Sequence, residues 1–386
     1  MTCDFDAFID RRFGDSIKWN VCEEDELPMW VADMDFRCPE PVIAALQERV
    51  AHGIFGYGSA PPELREVLVA RLAALYDWRV APEAIVFLPG VVVGFNLAAQ
   101  ALTRPGDGLL IQTPVYPPFL TAAADAGLRH ESMELSRRPD GAYEIDFDRF
   151  EAALSPHTAM FLLCNPHNPV GRVFRRDELE RLAQLCLQKR LLICSDEIHC
   201  DFIFSGQRHY PIAALDPEMA ASTITLMAPS KTFNIPGLGC SFAVIPDPAL
   251  RERFNAGQRG VVGHVNLLGY TAALAAYRDG GPWLESLLAY LEANRDFLVA
   301  YVREHLPGVH VAAPEGTYLA WLDCREAGIP GNPYEFFRAR ARVMLNDGAT
   351  FGPGGEGFVR LNFGTPRALL TEGLERMRAA LAELSV

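Results

Sequence analysis

Short, continuously apolar segments alternate with amphipathic helical segments through the middle of this chain, and this pattern constrains the fold most. The apolar runs are too short for buried helices, and they lack the alternation expected of a strand with one solvated face. Parallel strands that are covered by helices on both faces have this appearance. We therefore predict an α/β fold with a mostly parallel sheet, whose strands fall at 85–88, 109–112, 158–164, 191–194, 223–227 and 240–245.

The C-terminal part of the chain has a different pattern. It follows a break at residues 279–282, and it mixes predicted strands with two predicted helices. The strands are expected at 309–312, 318–322 and 358–363, and the helices at 334–341 and 367–384. This pattern favours a smaller α+β domain. The predicted division is an N-terminal arm at 1–40 that covers the site or joins the small domain, a large domain at 41–281, and a small domain at 282–386.

Charge and cysteine usage exclude several classes of protein. The net charge is −14, with 49 acidic and 35 basic residues, which argues against nucleic-acid or anionic-membrane partners. No apolar run is long enough for a transmembrane helix. The nine cysteines form no Cys-x-x-Cys pair, and the first six residues lack the features of a secretory signal. We therefore expect a protein of the reducing cytoplasm, and we predict no metal site.

Polar or turn-forming residues follow one predicted strand after another. Ligands of doubly wound sheets bind beyond the carboxyl ends of the strands, so these residues should meet at one edge. In chain order the segments are Gly90-Val91-Val92-Val93-Gly94, Thr113-Pro114-Val115-Tyr116-Pro117-Pro118, Asn165-Pro166-His167-Asn168-Pro169-Val170-Gly171, Ser195-Asp196-Glu197-Ile198-His199 and Pro229-Ser230-Lys231. The sequence therefore predicts a functional site at this edge of the sheet.

Lys231 lies just past a predicted strand, among apolar and turn-forming neighbours. Pro229, Phe233 and Ile235 surround it in the sequence and suggest a partly dry pocket. Burial lowers the pKa of an amine and makes it a nucleophile toward a carbonyl group. The alternative interpretation of this stretch alone is a strand-to-loop turn with one exposed lysine.

The residue types at this edge match the needs of one cofactor, pyridoxal phosphate. Lys231 could form a Schiff base with its aldehyde, and Asp196 could keep its ring nitrogen protonated. Asn168 could donate to the ring oxygen, and Tyr116 offers a flat face for the ring. The helix that begins near Val91 and Val92 could bind the phosphate through its backbone N–H groups.

Each of these residues also has a simpler interpretation. Asp196 could be a helix N-cap, Asn168 a turn residue and Tyr116 part of the core. His199 could be a satisfied core histidine, and the helix after Gly90 could bind no anion. Their succession along one predicted edge favours the functional interpretation over these alternatives.

Several longer motifs point to a known family. The lysine in Ser230-Lys231-Thr232-Phe233-Asn234, together with Asn165-Pro166 and Asp196-Glu197, is typical of a superfamily. On these motifs the chain resembles fold-type I pyridoxal-phosphate enzymes of the aminotransferase class I/II superfamily. Ile9-Asp10-Arg11-Arg12, Trp30-Val31-Ala32-Asp33-Met34-Asp35-Phe36 and His199 make it most similar to the cystathionine β-lyase or cysteine-S-conjugate β-lyase branch.

The resemblance implies a role for each matching residue around the cofactor. Lys231 would be the Schiff-base lysine and the base that moves the Cα proton. Asp196 would pair with the pyridine nitrogen. Asn168 would donate to the ring oxygen, with His199 near it, and Tyr116 would stack on the ring.

The same resemblance implies residues for the substrate and for a partner subunit. Arg360 would bind the α-carboxylate, for which a planar guanidinium is suited, whereas its alternative is a surface ion pair. Ala32, in the arm segment, and Asn168 would line the substrate side. Tyr57, in Gly56-Tyr57-Gly58, would reach the phosphate in the neighbouring subunit, which implies a homodimer with shared sites. Lys231, Tyr57 and Tyr116 are the predicted catalytic residues.

The phosphate end departs from the family pattern. Many relatives have serine or threonine where this chain has Ala228, and an arginine in the region of Gly239 and Cys240. Ser230 and the helix N-terminus at Val91 and Val92 are therefore expected to carry more of the phosphate.

The expected reaction is β-elimination of cystathionine or another S-substituted cysteine, which yields pyruvate, ammonia and a thiol. The alternative is transamination of amino acids. A dicarboxylate transaminase needs a second arginine, and none is assignable, although Arg12, Arg37 and Arg259 stay open for that role. A third possibility is a pyridoxal-phosphate-binding regulatory protein. No DNA-binding segment or basic tail favours it.

Overall fold

The computed structural model describes residues 4–12 and 14–385. Two parts of the predicted arm lie outside the described residues. They are residues 1–3, which belong to the segment that we interpreted as lacking a secretory signal, and Phe13. The strands are β1 Leu27–Pro28, β2 Ile85–Leu88, β3 Gly108–Thr113, β4 Arg129–Glu134, β5 Ser136–Arg137, β6 Tyr143–Glu144, β7 Thr158–Cys164, β8 Leu192–Asp196, β9 Thr223–Met227, β10 Ser241–Val244, β11 His310–Val311, β12 Leu319–Asp323, β13 Val343–Met344, β14 Asn346–Asp347 and β15 Phe358–Asn362. The helices are α1 Ile17–Asn20, α2 Glu40–Ala51, α3 Pro62–Tyr76, α4 Val91–Leu102, α5 Pro118–Asp125, α6 Phe147–Ala153, α7 Arg176–Gln188, α8 Pro217–Ala221, α9 Pro229–Thr232, α10 Pro248–Gln258, α11 Leu267–Asp279, α12 Gly281–His305, α13 Pro333–Phe336 and α14 Arg367–Ala382.

The large sheet has seven strands in the order β2-β10-β9-β8-β7-β3-β4. β10 runs antiparallel to both of its neighbours, and the other pairs are parallel. Every residue of β3 and of β9 is buried, because helices cover both faces of the sheet. The predicted α/β class with a mostly parallel sheet is confirmed.

The predicted strands of this sheet agree with the structure to within two residues, but one strand was missed. The strand at its edge is β4, whose sequence Arg-His-Glu-Ser-Met-Glu is mostly exposed. An edge strand pairs on one side only, and charged side chains there discourage pairing with another chain. Because β4 buries little apolar surface, the search for apolar runs could not find it.

A second sheet lies in the C-terminal part, as predicted for a small α+β unit. Its order is β11-β12-β15-β14, and all neighbours are antiparallel. The helix predicted at 334–341 is instead α13 followed by a π-helical turn at Phe337–Ala341. β14 was missed because it is only two residues long.

The arm runs along the C-terminal part of the chain. β1 pairs in parallel with β13, and the amide of Asn362 donates to the carbonyl oxygens of Val31 and Asp33 at 2.7 and 2.8 Å. The arm is thereby held beside β15.

A side chain close to Lys231 also holds the arm. Asn234 bonds to the backbone of Met34 through both amide atoms, at 2.9 Å each, and to the carbonyl of Phe36 at 2.7 Å. The segment at 31–36 is thus fixed from two sides. The division of the chain at 40 and 281 stays a prediction, since α11 and α12 are separated by Gly280 alone. Among the described residues, no helix combines the length and apolar character needed to cross a membrane.

Candidate active site

A cavity of about 270 Å³ opens where β7, β8 and β9 end, against the start of α4 and the arm. Ten of the eleven predicted site residues line it. They are Ala32, Val91, Val92, Tyr116, Asn168, Asp196, His199, Ser230, Lys231 and Arg360. The structure therefore brings together residues that lie more than 300 positions apart in the sequence.

Lys231 reaches into this cavity from α9, which follows β9 directly. Its Nζ donates a hydrogen bond to the carbonyl oxygen of Ala32 in the arm. Burial lowers the pKa of Lys231 to about 8, and the positive charge of Arg360 also lowers it, while the carboxylates of Asp33 and Asp196 act in the opposite direction. A substantial fraction of the amine is therefore neutral near pH 8, as a nucleophile or a base requires.

Asp196 is buried at the end of β8. Its Oδ1 accepts from the backbone N–H of Ile198 at 3.1 Å, but a turn and not a helix follows β8. Asp196 is therefore not a helix N-cap, and its side chain lines the cavity. Burial raises the pKa of Asp196 to about 7, and the carboxylate of Glu197 raises it further, whereas the Ile198 N–H and Lys231 lower it. A protonated nitrogen that enters the cavity could therefore form a strong hydrogen bond with the carboxylate of Asp196.

The raised pKa of Asp196 has a measurable effect on stability. Because the folded value of about 7 lies above the ordinary 3.8, ionisation of the buried group costs stability as the pH rises from 4 to 7. In protein without cofactor, Asp196→Asn should therefore raise the free energy of unfolding, by about 2–4 kcal/mol at pH 7.5 and by less at pH 5.

Urea unfolding at the two pH values measures this effect. Asp125→Asn is the matched control, since Asp125 is exposed at the end of α5, and it should change stability by no more than about 0.5 kcal/mol. An Asp196→Asn variant that is less stable than the wild type at pH 7.5 would contradict the prediction.

Arg360 and Asn168 form a connected pair on one wall. Arg360 Nη1 donates to Asn168 Oδ1 at 2.8 Å, and Nη2 donates to the Trp30 carbonyl at 3.0 Å and to Asn346 Oδ1 at 2.6 Å. The guanidinium also lies over the ring of Phe351. Because an arginine only donates, the side-chain oxygen of Asn168 must face Arg360. The side-chain NH₂ of Asn168 is therefore free to donate to a group in the cavity.

Arg360 is buried without a carboxylate partner among the described residues. Burial lowers the pKa of its guanidinium to about 10, although Tyr116 and Tyr318 act in the opposite direction. The surface ion pair considered from the sequence is therefore wrong. A buried cation that is not paired within the described chain is suited to bind an anionic group that enters the cavity.

His199 and Tyr116 complete the walls beside Asp196. Burial lowers the pKa of His199 to about 3, with Lys231 and Arg360 acting in the same direction, so its imidazole is neutral. Its Nδ1 is buried with no hydrogen-bond partner among the described residues, so His199 is not a satisfied core histidine. Tyr116 lies partly buried at the cavity, and its backbone N–H donates to the backbone carbonyl oxygen of Asn168 at 3.1 Å.

The opposite end of the cavity is built from backbone. α4 begins at Val91, and its first backbone bond within the helix runs from the Gly94 N–H to the Gly90 carbonyl. The N–H groups of Val91 and Val92 therefore have no acceptor within the helix and can bind an anion. Ser230, Ala228 and Gly239 line the same cavity.

Tyr57 lies apart from the other predicted site residues. It is fully exposed in an extended segment between α2 and α3, beside a shallow pocket that also involves Ile54, Leu267 and Tyr270. Within a single chain the structure thus does not bring Tyr57 to Lys231.

Tyr318 belongs to the site but was not identified from the sequence. Its side chain is fully buried, and its hydroxyl donates to the Ala32 carbonyl at 2.9 Å, the same oxygen that accepts from Lys231. In the sequence Tyr318 is one aromatic residue in an apolar run, so composition gives no signal for this role. Ala32 likewise contributes a backbone oxygen, which any residue type could supply.

The arginines that were left open for a second carboxylate lie elsewhere. Arg12 donates to the Glu26 carbonyl at 3.0 Å, and Arg37 lies 3.8 Å from Glu40 on the surface. Arg259 follows the last residue of α10 and does not line the cavity. Arg360 is the only arginine among the cavity's described lining residues.

These features fit pyridoxal phosphate. Asp196 could hold the ring nitrogen, the free NH₂ of Asn168 the ring oxygen, and the N-terminus of α4 with Ser230 the phosphate. The unpartnered Nδ1 of His199 is a further buried polar atom beside this cavity. Across residues 4–12 and 14–385, no group of three or more His, Cys, Asp or Glu side chains could hold a metal ion.

Comparison with known proteins decides the family. Residues 25–377 match the family described as aminotransferase class I and II. The chain belongs to this family. A member of it is a pyridoxal-phosphate protein of fold type I, so the cofactor expected from Lys231, Asp196 and Asn168 is confirmed.

Three relatives of this family member cover nearly its full length. It is 43% identical to cystathionine beta-lyase PatB of Bacillus subtilis, over 98% of this chain and 100% of that protein. The crystal structure of OvoB is 46% identical, with a TM-score of 0.94 over 98% of this chain and 99% of the other. The pyridoxal-phosphate-bound C-S lyase of Staphylococcus hominis is 34% identical, with a TM-score of 0.93 and coverages of 98% and 99%.

Proposed function

We propose that this protein is a pyridoxal-phosphate-dependent carbon–sulfur β-lyase. It converts an S-substituted cysteine, such as cystathionine, and one water molecule into a thiol, pyruvate and ammonia. The observation that carries the proposal is the single cavity that holds Lys231 and Asp196, with Arg360 as the one arginine among its described lining residues. The relatives named as a cystathionine beta-lyase and a C-S lyase support it.

When bound, pyridoxal phosphate supplies an aldehyde that captures the substrate amino group and a ring that accepts the electrons released at Cα. The Nζ of Lys231 takes the Cα proton and delivers a proton to the departing sulfur. Its pKa of about 8 suits a base that works near neutral pH. The Ala32 carbonyl, which accepts from both Lys231 and Tyr318, fixes where this amine lies.

The other side chains orient and stabilise. Asp196 would keep the ring nitrogen protonated, and Tyr116 would support the face of the ring. Arg360 would bind the substrate α-carboxylate, and it also holds Asn168 with the NH₂ free to donate to the ring oxygen of the cofactor. Because one cavity wall carries both contacts, binding of the carboxylate and orientation of the ring are coupled.

The function is tested by incubating the purified protein with cystathionine and following pyruvate without any added 2-oxo acid. We expect pyruvate, ammonia and homocysteine in equal amounts, because β-elimination needs no amino acceptor. Turnover that begins only when a 2-oxo acid is supplied would assign the protein to the aminotransferases instead. Absence of both activities, together with binding of a protein partner, would favour the regulatory alternative.

We also propose a cytoplasmic homodimer in which Tyr57 contacts the phosphate bound by the partner. Tyr57 is fully exposed in the single chain, and Ile54 and Phe55 beside it are also exposed apolar residues. Exposed apolar side chains in one segment favour an interface between subunits. The eight described cysteines form no disulfide, which agrees with a reducing compartment.

A hybrid dimer tests this sharing of sites. Tyr57→Ala and Lys231→Ala subunits with different affinity tags are mixed, and the hybrid is purified. One of its two sites should combine an intact Lys231 with an intact Tyr57 from the other subunit. Pyruvate release should therefore recover to about half of the wild-type rate. Activity at about half the level of the Tyr57→Ala dimer, with no recovery, would place Tyr57 in its own subunit's site.

A further inference from the structure

A second carboxylate, Glu197, follows Asp196 directly and is completely buried. Its Oε1 accepts from Ser195 Oγ at 2.9 Å and from the Ile212 N–H at 3.4 Å, and its Oε2 lies 2.7 Å from His209 Nε2. Glu197 is not among the cavity-lining residues. The proposed mechanism gives this buried group no task.

The hydrogen bonds indicate the charge of this cluster. The Ser195 hydroxyl and the Ile212 N–H both donate to Glu197 Oε1, and an ionised carboxylate is the form that only accepts. His209 Nε2 must then carry the proton that it donates. Its Nδ1 is buried with no partner among the described residues, and its ring packs edge-on against Tyr76 at 5.5 Å. A second ring proton would be buried without an acceptor, so a neutral His209 is favoured and the cluster keeps one negative charge.

This charge belongs to the residue that directly follows Asp196, the group that we assign to the ring nitrogen. The other titratable groups that act on Asp196 or feel its charge are Lys231 from α9, Tyr116, Cys164 from β7 and Cys194 from β8. Among the described residues, Glu197 is the only other carboxylate that acts on Asp196. Because a charge acts strongly across a region of low dielectric, its effect on Asp196 does not need direct contact.

We propose that Glu197 is a positioning residue whose fixed negative charge strengthens the hold of Asp196 on the proton of the cofactor's ring nitrogen. Ser195, Ile212 and His209 keep that charge in place through their donors. The consequence is a ring that stays protonated and so remains an effective electron acceptor. The inference rests on the proposed cofactor site, and it adds a residue that does not touch the cofactor.

Binding of pyridoxine 5′-phosphate to the full-length chain freed of cofactor tests this role. This probe keeps the ring nitrogen and the phosphate but has no aldehyde, so Lys231 cannot form a Schiff base with it. Its affinity should fall at low pH, where Asp196 gains a proton. In Glu197→Gln we expect that fall to move to lower pH by about one unit, because the neighbouring charge is lost.

Two matched variants separate charge from packing. Glu197→Asp disturbs the packing but keeps the charge, and His209→Gln replaces the imidazole with another neutral donor. Both should keep the wild-type pH profile. If His209 were cationic, His209→Gln would unmask the charge of Glu197 and move the profile upward, which would overturn the proposal.

The inference is also overturned if the Glu197→Gln profile coincides with that of the wild type, or if Glu197→Asp shifts it equally. If Glu197→Gln does not unfold cooperatively, the double variant Glu197→Gln/His209→Gln replaces it, since two amides can bond to each other, and the same shift is expected. A wild-type chain that fails to bind the probe would overturn the cofactor site itself. An unshifted profile with normal pyruvate release would remove this inference alone.

Discussion

Replacement of Lys231 with alanine should lower the rate of pyruvate release by about a thousandfold or more. The variant loses both the amine that attaches the cofactor and the base that moves the Cα proton, and general-base catalysis alone contributes about a hundredfold to ten-thousandfold. The yellow colour of the lysine-bound cofactor should disappear as well. Stopped-flow or coupled pyruvate assays and an absorption spectrum measure the two effects.

The chain offers a sharp control, because it contains only three lysines, Lys18, Lys189 and Lys231. Lys18 is buried in an ion pair with Asp35 at 2.7 Å, and Lys189 lies on the surface 3.3 Å from Glu151. Borohydride reduction followed by peptide mass spectrometry should find the cofactor on Lys231 alone. Lys189→Ala should keep colour and activity. A cofactor attached to Lys18 or Lys189 would refute the assignment.

Replacement of Arg360 with leucine should lower kcat/KM for S-benzylcysteine by about a hundredfold to ten-thousandfold. The expected size follows from the loss of two charged hydrogen bonds, each of about 1.5–3 kcal/mol. Arg360→Lys keeps a charge but not the planar fork, so it should lie between the wild type and the leucine variant. Steady-state kinetics over a range of substrate concentrations provides the measurement.

The carboxamide of S-benzylcysteine distinguishes carboxylate binding from general damage. The amide offers no negative charge to Arg360, so its slow turnover should change little in the Arg360→Leu variant. Arg340→Leu is the matched control, since Arg340 is exposed and lies 3.9 Å from Glu383. An equal loss for acid and amide would show that Arg360 supports the fold rather than the substrate.

The sequence predicted most of the large sheet because buried parallel strands must be continuously apolar. It also indicated Lys231, Asp196 and Asn168, because each lies at or just past the end of such a strand and their succession along one edge of the sheet favoured a shared site. The polar edge strand β4 could not be predicted in this way, because most of its residues are exposed and need not be apolar.

Contacts between distant segments were the second limit of the sequence. The Ala32 carbonyl receives bonds from Lys231 and Tyr318, which lie 199 and 286 residues away, and a backbone oxygen leaves no trace in residue identity. The Glu197–His209 pair could not be predicted for a related reason. The carboxylate that pairs with a buried histidine can be identified only when the fold is known, because the fold places Glu197 beside His209.

The arm joins the beginning of the chain to its end. The Trp30 carbonyl accepts from Arg360, and the Asn362 amide holds Val31, so two residues of the last strand fix the segment that also contacts Lys231. During synthesis on the ribosome, the arm emerges first and β15 among the last elements. A nascent chain that already contains Lys231 therefore lacks the contacts that complete the cavity. We therefore expect catalytic activity only once a nearly full-length polypeptide has been released from the ribosome. An incomplete chain would not yet release thiol in the cell.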